Sequence, residues 1–315
     1  MNKSKTETSG TATAVAEIKK NAGHPLGSAA ARYERIEAMK DEHSLAALCA
    51  ALRVSRPGYY RWKDAEPSAR ARADAQLSET IRAVHGEHRG VYGSPRVLRV
   101  LRARGRCHSR KRIARLMQAA GLRGKCPRRF VPRTTQSGHA EPIAPNRLAA
   151  QPKPTAPNQV WVSDITYVRT AEGWLYVAAI LDLYSRRIVG WATGASLAAE
   201  LVLAALAMAL LHRRPPAGLL YHSDRGVQYA CGDFRAALAD ARFVASMSRK
   251  GNCYDNATME SFWSSFKREC ADVLYPTRGD GTAAAFDYIE TFYNRVRLHS
   301  ALGYQSPVDF ENQLS

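Results

Sequence analysis

Apolar positions recur at helical spacing through the first part of the chain and at strand spacing through the second. The pattern is helical from Tyr33 to Leu52, with Leu45, Leu48 and Leu52 at i, i+3 and i+7 on one face. Ser55-Arg56-Pro57-Gly58 breaks it, and Tyr59-Tyr60-Arg61-Trp62 opens the next element. Leu77, Ile81 and Val84 predict a further helix in LSETIRAVHGEH, and another signal runs from Ser94 through Leu101. Behind the Gly105 break, Ser109 predicts an N-cap for SRKRIARLMQAA, with Ile113, Leu116 and Met117 as the buried stripe. Residues 134–155 lose all periodicity among prolines such as Pro142, Pro145, Pro152 and Pro154, which predicts an extended linker.

From Val160 the period changes to two. VWVSDITYVRT predicts a strand, and EGWLYVAAILDLYSRRIVGWATG predicts two more, turning near Tyr184-Ser185-Arg186. There follow an Ala/Leu-rich helix at Leu197–Leu211, a strand in LLYHSD, a helix from about Asp233 to Ala241 and a strand in RFVASMS. Two helices, from about Asn256 to Cys270 and from Thr282 to Arg297, complete the set. The order βββαβαβα predicts an α/β catalytic domain of RNase H-like type, a mixed five-stranded sheet with flanking helices. An all-α, helix-turn-helix-like region precedes it. The expected divisions are 1–41 disordered or an extension, 42–133 helical and DNA-binding, 134–155 linker, and 156–315 catalytic.

The formal charge of +18 over 315 residues points to an anionic partner. Between Arg53 and Arg133 stand 22 Lys/Arg against 5 Asp/Glu, so the excess belongs to the helical half. Arg110, Lys111, Arg112 and Arg115 spread over the polar side of one helix there, and Arg61 sits beside aromatic residues in another. These are the candidate DNA-binding residues, although solvated surface charge would look the same. The six cysteines include no CxxC pair, which disfavours zinc, and with no signal peptide they read as thiols of a cytoplasmic protein. The apolar run Leu197–Leu211 contains Glu200 and falls short of the roughly 20 residues that span a bilayer, so no membrane association is expected.

Three acids carry the candidate chemistry. Asp164 lies inside an apolar strand, where a carboxylate is costly unless a cation or donor compensates it. Asp224 follows Leu219-Leu220-Tyr221-His222-Ser223, at the carboxyl end of a buried strand, where ligands of α/β sheets collect. Glu260 opens a helix, and Lys267 lies seven residues beyond it on the same face, as a candidate phosphate clamp. Three converging carboxylates would hold two Mg²⁺ ions for phosphoryl transfer on a nucleic acid. Asp182, Asp233 and Glu269 are rival acids. Asn252, Asp255 and Asn256 read as turn and helix-starting residues, and Phe262 and Trp263 as packing away from the acids. His222 reads as structural or as tuning the site, and Arg295, Arg297 and His299 as packing or available for DNA.

The spacing Asp164-x59-Asp224-x35-Glu260, with Trp161 before it and Lys267 after, resembles the DDE integrase core. The phrases SRPGYYRW, RGVYGSPRVLRVL, SRKRIARLMQAAGL, APNQVWVSDITYV, LYVAAILDLYSRRIVGW, HSDRGVQY, GNCYDNATMESFWSSFKRE and YIETFYNRVRLHSALGYQSP narrow this. Over residues 42–311 the chain resembles the second-frame (OrfB) transposases of insertion sequences of the IS-three family. The resemblance implies 3′-end cleavage and strand transfer at the element's terminal inverted repeats, with Mg²⁺ or Mn²⁺ held by Asp164, Asp224 and Glu260. It also implies a first-frame helix-turn-helix partner or fusion, a homo-oligomer in the active complex, and work at the bacterial nucleoid. The alternative from another class is a catalytically silent DNA-binding regulator derived from a transposase, which retention of all three acids disfavours.

Overall fold

The computed structural model describes residues 27–125, 141–249 and 256–313. The chain divides into two compact units between Leu77 and Ser78. Among the described residues, the first holds α1 (Ala29–Met39), α2 (Leu45–Ala51) and α3 (Arg56–Lys63). Each starts at a serine whose hydroxyl accepts a backbone N–H three residues on, Ser28 from Ala31, Ser44 from Ala47 and Ser55 from Gly58. Ile36, Leu48, Leu52 and Tyr59 form their common core. The expectation of disorder or mere extension over 1–41 therefore fails from Ala29 onward. Ile36, with Tyr33 and Met39 packed beside it, holds α1 in the core, and the helical pattern that begins at Tyr33 overlaps most of this helix. Residues 1–26 lie outside the described residues.

Helix α4 (Ala69–Glu87) spans the division, and α5 (Ser94–Ala103) and α6 (Arg110–Ala119) lie in the second unit. Ser109 caps α6 through Arg112 N–H, and Ile113, Leu116 and Met117 are buried, as the pattern predicts. These helices are fastened to the end of the chain. Arg89 forks onto the Asp287 carboxylate at 2.7 and 3.1 Å. The Tyr92 hydroxyl donates to Val296 O (3.1 Å) and accepts from Leu298 N–H (2.9 Å), and Arg96 Nε donates to Leu298 O (2.8 Å). The division into compact units thus falls inside the 42–133 region. Helical periodicity reports which face is buried and says nothing of a partner 200 residues away. Of the linker, residues 134–140 lie outside the described residues. Its remainder includes a short 3-10 turn, Leu148–Ala150, before which Arg147 and Leu148 N–H groups donate to Ser246 Oγ.

The sheet contains β1 (Val160–Thr170), β2 (Gly173–Asp182), β3 (Ile188–Gly194), β4 (Leu220–Ser223) and β5 (Val244–Met247), in the order β3-β2-β1-β4-β5. Strands β1, β2 and β3 pair antiparallel as a meander, while β4 and β5 join parallel to β1. This is the mixed RNase H-like sheet that the sequence predicts. Helix α7 (Ala199–Arg213) packs on β2 and β3 through Leu201, Val202, Ala205, Leu206 and Ala209. A Cβ at Gly190 would stand 2.3 Å from Ala205 O, so only glycine lets this helix lie so close to β3. Glu200 in its first turn and His212 and Arg213 in its last complement the helix dipole.

Short helix α8 (Val227–Ala230) and α9 (Gly232–Asp240) follow β4. After β5 come α10 (Ala257–Glu269) and α11 (Arg278–Phe286), the latter opened by a Thr277/Asp280 capping box. The helix expected over 282–297 is instead α11 followed by a wider π-type segment, Asp287–Tyr293. That widening accompanies a fixed landing on β3. Asn294 Oδ1 accepts Ile188 N–H (2.9 Å), Asn294 Nδ2 donates to Ile188 O (3.0 Å), and Trp191 Nε1 donates to Glu290 (2.9 Å). Helix α12 (Pro307–Asn312) ends the described chain. No helix of the described residues is long and apolar enough to cross a membrane.

Candidate active site

Strands β1 and β4 place two of the three acids. Their pairing aligns Val160 with Leu220, Trp161 with Tyr221 and Val162 with His222, a constant offset that Asp164 and Asp224 share. Each acid follows the last paired position by two residues, Asp164 within β1 and Asp224 beyond β4. Asp164 is half-buried, and Ile165 N–H donates to its Oδ1 at 2.8 Å. Asp224 stands just past the end of β4, where Gly226 N–H donates to its Oδ1 at 2.9 Å. A Cβ at Gly226 would come within 3.0 Å of that oxygen, so the tight turn that presents Asp224 favours glycine.

Burial pushes the Asp164 carboxyl up to about 8, and the Asp224 and, to a lesser extent, Glu260 charges add to the rise. The effect of Asp224 is that of two like charges sharing a site. Glu260, in the first turn of α10, is exposed, and partial burial raises its carboxyl as well. Lys267 lies two turns further along that face, its Nζ 4.4 Å from the Tyr167 ring centre. Burial lowers Lys267, and the Asp164 charge opposes that shift. Acids and lysine therefore share one electrostatic neighbourhood.

Among the described residues, no three His, Cys, Asp or Glu side chains stand close enough to enclose an ion by themselves. The arrangement is two adjacent aspartates with Glu260 approaching from α10. Its donor chemistry still suits a hard divalent cation. All three groups are carboxylates, and ionising Asp164 is penalised until positive charge arrives.

Two neighbours were not expected here. Trp263 belongs to the acid-facing side of α10 instead of packing elsewhere, since it lies three residues after Glu260 on the same face. Its buried indole N–H lies near enough to Asp164 to favour the ionised form of that carboxyl. Asn256 starts α10 but does not cap it with its side chain. It reaches instead towards Ser163 O, at 3.4 Å, tying the helix start to the strand position before Asp164. The spacing of Trp263 from Glu260 was the available signal for the first, and none marked the second. Asn252 and Asp255 lie outside the described residues.

The rival acids take other places. Asp182 is fully buried and accepts backbone N–H groups from Asn158, Tyr184 and Ser185. Glu269 is locked to Arg297, and Asp233 is exposed in the first turn of α9. His222 is buried between the hydroxyls of Ser246 (2.9 Å) and Ser248 (3.0 Å), a structural position. Arg297 and His299 are 5 % and 9 % exposed, so neither is a surface group available to DNA, whereas Arg295 is exposed. Arg110, Lys111 and Arg115 are exposed on α6 with Arg112 half-buried beside them, while Arg61 is exposed on α3 in the other unit.

Integrase core domain models match residues 154–253 and 242–307, and an HTH-like domain model matches residues 71–130. The transposase InsF of insertion sequence IS3A from Escherichia coli is 40 % identical over 285 residues, covering 90 % of this chain and 99 % of its own. A 31 kDa protein of insertion element IS600 from Shigella sonnei is 47 % identical over 267 residues, covering 84 % of this chain and 98 % of its own. Among solved structures, the HTLV-2 integrase catalytic core in complex with magnesium aligns with 50 % of this chain and 97 % of its own. Its identity is 13 % and its TM-score 0.36.

Proposed function

The chain belongs to the IS3 family of insertion-sequence transposases, and from that premise we propose that it cleaves 3′ ends of its element and joins them to target DNA. One observation carries the reading. Asp164 on β1 is raised by the charges of Asp224, just past the parallel β4, and of Glu260 on α10, and the Asp164 charge acts on Lys267 of the same helix, which supports this reading.

Asp164, Asp224 and Glu260 would hold divalent ions, Mg²⁺ or Mn²⁺, two when DNA is bound. Such ions supply Lewis acidity to the attacking hydroxyl and the leaving oxygen of an in-line displacement. The chain's own residues do the rest. Ile165 and Gly226 N–H groups orient the two aspartates, and Trp263 favours ionisation of Asp164. Lys267 holds a phosphate oxygen beside the acids. The helical region 42–133 grips the duplex through Arg110, Lys111, Arg112 and Arg115 on α6 and Arg61 on α3, and residues 156–315 carry the chemistry. The protein acts in the bacterial cytoplasm at the nucleoid, as a homo-oligomer, with a first-frame helix-turn-helix protein as partner or fusion.

Strand transfer of terminal-repeat oligonucleotides with Mn²⁺ tests this. Asp224→Asn is expected to lower the rate by at least about 10³-fold without loss of folding. Full activity of that variant would refute the metal-ligand assignment.

A further inference from the structure

On the side of α10 away from Asp164 lies a cavity of ≈ 310 Å³. Thr258 and Ser261 face it, whereas Glu260 and Lys267 occupy the other side of the helix, as 100° per residue requires. Three arginines converge on it from distant parts of one compact unit. Arg96 comes from α5, Arg186 from the turn between β2 and β3, and Arg297 from the segment after Tyr293.

Their positive charge is only partly answered. Arg297 is neutralised by Glu269, with Nε and Nη2 each 2.7 Å from a carboxylate oxygen. The hydrogen bonds of Arg96 and Arg186 among the described residues go to neutral oxygens. Arg96 Nε donates to Leu298 O (2.8 Å), and Arg186 Nη1 donates to Thr258 Oγ1 (2.6 Å). His299 lines the same cavity at 9 % exposure, and its Nε2 is buried with no hydrogen-bond partner. Burial first, and then the Arg297, Arg96 and Arg186 charges, hold His299 well below the ordinary imidazole range. Burial also lowers both Arg96 and Arg186. Two half-buried guanidinium groups that feel the Glu269 and Asp182 charges but hydrogen-bond no carboxylate among the described residues, beside hydroxyls and an unpartnered imidazole nitrogen, form a site short of one anion.

We infer that this cavity is a second phosphate subsite, in which Arg96 and Arg186 with the Thr258 and Ser261 hydroxyls hold a backbone phosphodiester other than the reacting one. The inference rests on the transposase reading above, because it takes DNA as the source of the phosphate. The shared helix favours that source. A phosphate here and one at the acids lie on opposite sides of α10, about 10 Å apart, the thickness of one helix. Arg96 belongs to the helices that precede the linker and Arg186 to the sheet, so one bound phosphate bridges both parts of the same unit.

Binding of terminal-repeat duplex to the full chain in Ca²⁺, measured against salt, tests the subsite. Arg186→Gln and Arg96→Gln are each expected to weaken binding about tenfold and to reduce the salt slope by about one, with Arg186→Lys restoring the slope. Thermal melting with inorganic phosphate forms a second arm. Stabilisation by phosphate with an unchanged DNA slope in Arg186→Gln would overturn the backbone assignment, and no response in either arm would overturn the subsite altogether. Strand transfer by wild-type protein supplied with a first-frame partner separates the two readings. Its absence sinks the transposase reading, whereas wild-type activity with unchanged binding by both Gln variants sinks only the subsite.

Discussion

Two groups of carboxylates in the same unit show how differently one residue type can be used. At the end of the chain, Glu269 receives Arg297 twice at 2.7 Å and the Tyr288 hydroxyl at 2.9 Å. Glu311 receives Arg187 at 2.7 Å and Arg213 at 2.8 and 2.9 Å. Burial would raise Glu311, yet the hydrogen bonds from Arg213, Ser185 and Arg187 hold it below its ordinary value. At β1 and β4, Asp164 and Asp224 meet each other, and burial and repulsion drive Asp164 upward. Acids surrounded by donors fasten the fold; acids that face other acids repel one another and favour the arrival of positive charge.

Removing a fastening acid should have the largest effect on stability. Glu269→Gln leaves Arg297 buried without its counter-charge, and urea unfolding should show a loss of about 3–5 kcal/mol. An unchanged midpoint would remove the distinction between the two groups. Glu311→Gln should cost about 2–3 kcal/mol at neutral pH. The folded carboxyl of Glu311 lies below its usual 4.5, so its contribution is full above that value and is lost as pH falls through the folded one. Acid unfolding should therefore be shallower in the variant, and an acid limb identical to wild type would contradict the ion pairs.

The reserved group should behave oppositely and more weakly. Asp164 is raised from 3.8 to about 8, so metal-free stability falls as pH rises through that window, where the folded state binds the extra proton. Asp164→Asn should accordingly gain about 1–2 kcal/mol at pH near 8 in chelator, with little gain near pH 4. Melting curves at the two pH values check this, and a loss of stability at the higher one would contradict it.

The acid group was more legible than the fastening group for a physical reason. Asp164 interrupts an apolar strand and Asp224 ends one, and both violations show in local pattern. The five strands were likewise marked by period and turn residues. Glu269 and Arg297 sit in ordinary charged stretches, and their pairing exists only after α10 and the π-type segment pack together. That is why the sequence leaves Arg297 and His299 open between packing and DNA, and the structure shows both buried. The docking of Arg89, Tyr92 and Arg96 onto residues 287–298 was hidden in the same way. Trp263 was within reach of spacing alone, since i and i+3 share a helix face.

The central proposal is that Asp164, Asp224 and Glu260 hold divalent ions, and Mn²⁺ titration followed by the paramagnetic resonance of free Mn²⁺ tests it most directly. Wild-type protein should take up Mn²⁺, more tightly near pH 8 than near pH 6 because Asp164 must release its proton. Asp164→Asn and Asp224→Asn should each weaken uptake by about tenfold or more, while the folded fraction of Glu269→Gln binds like wild type. Equal Mn²⁺ uptake by wild type and both aspartate variants would contradict the account.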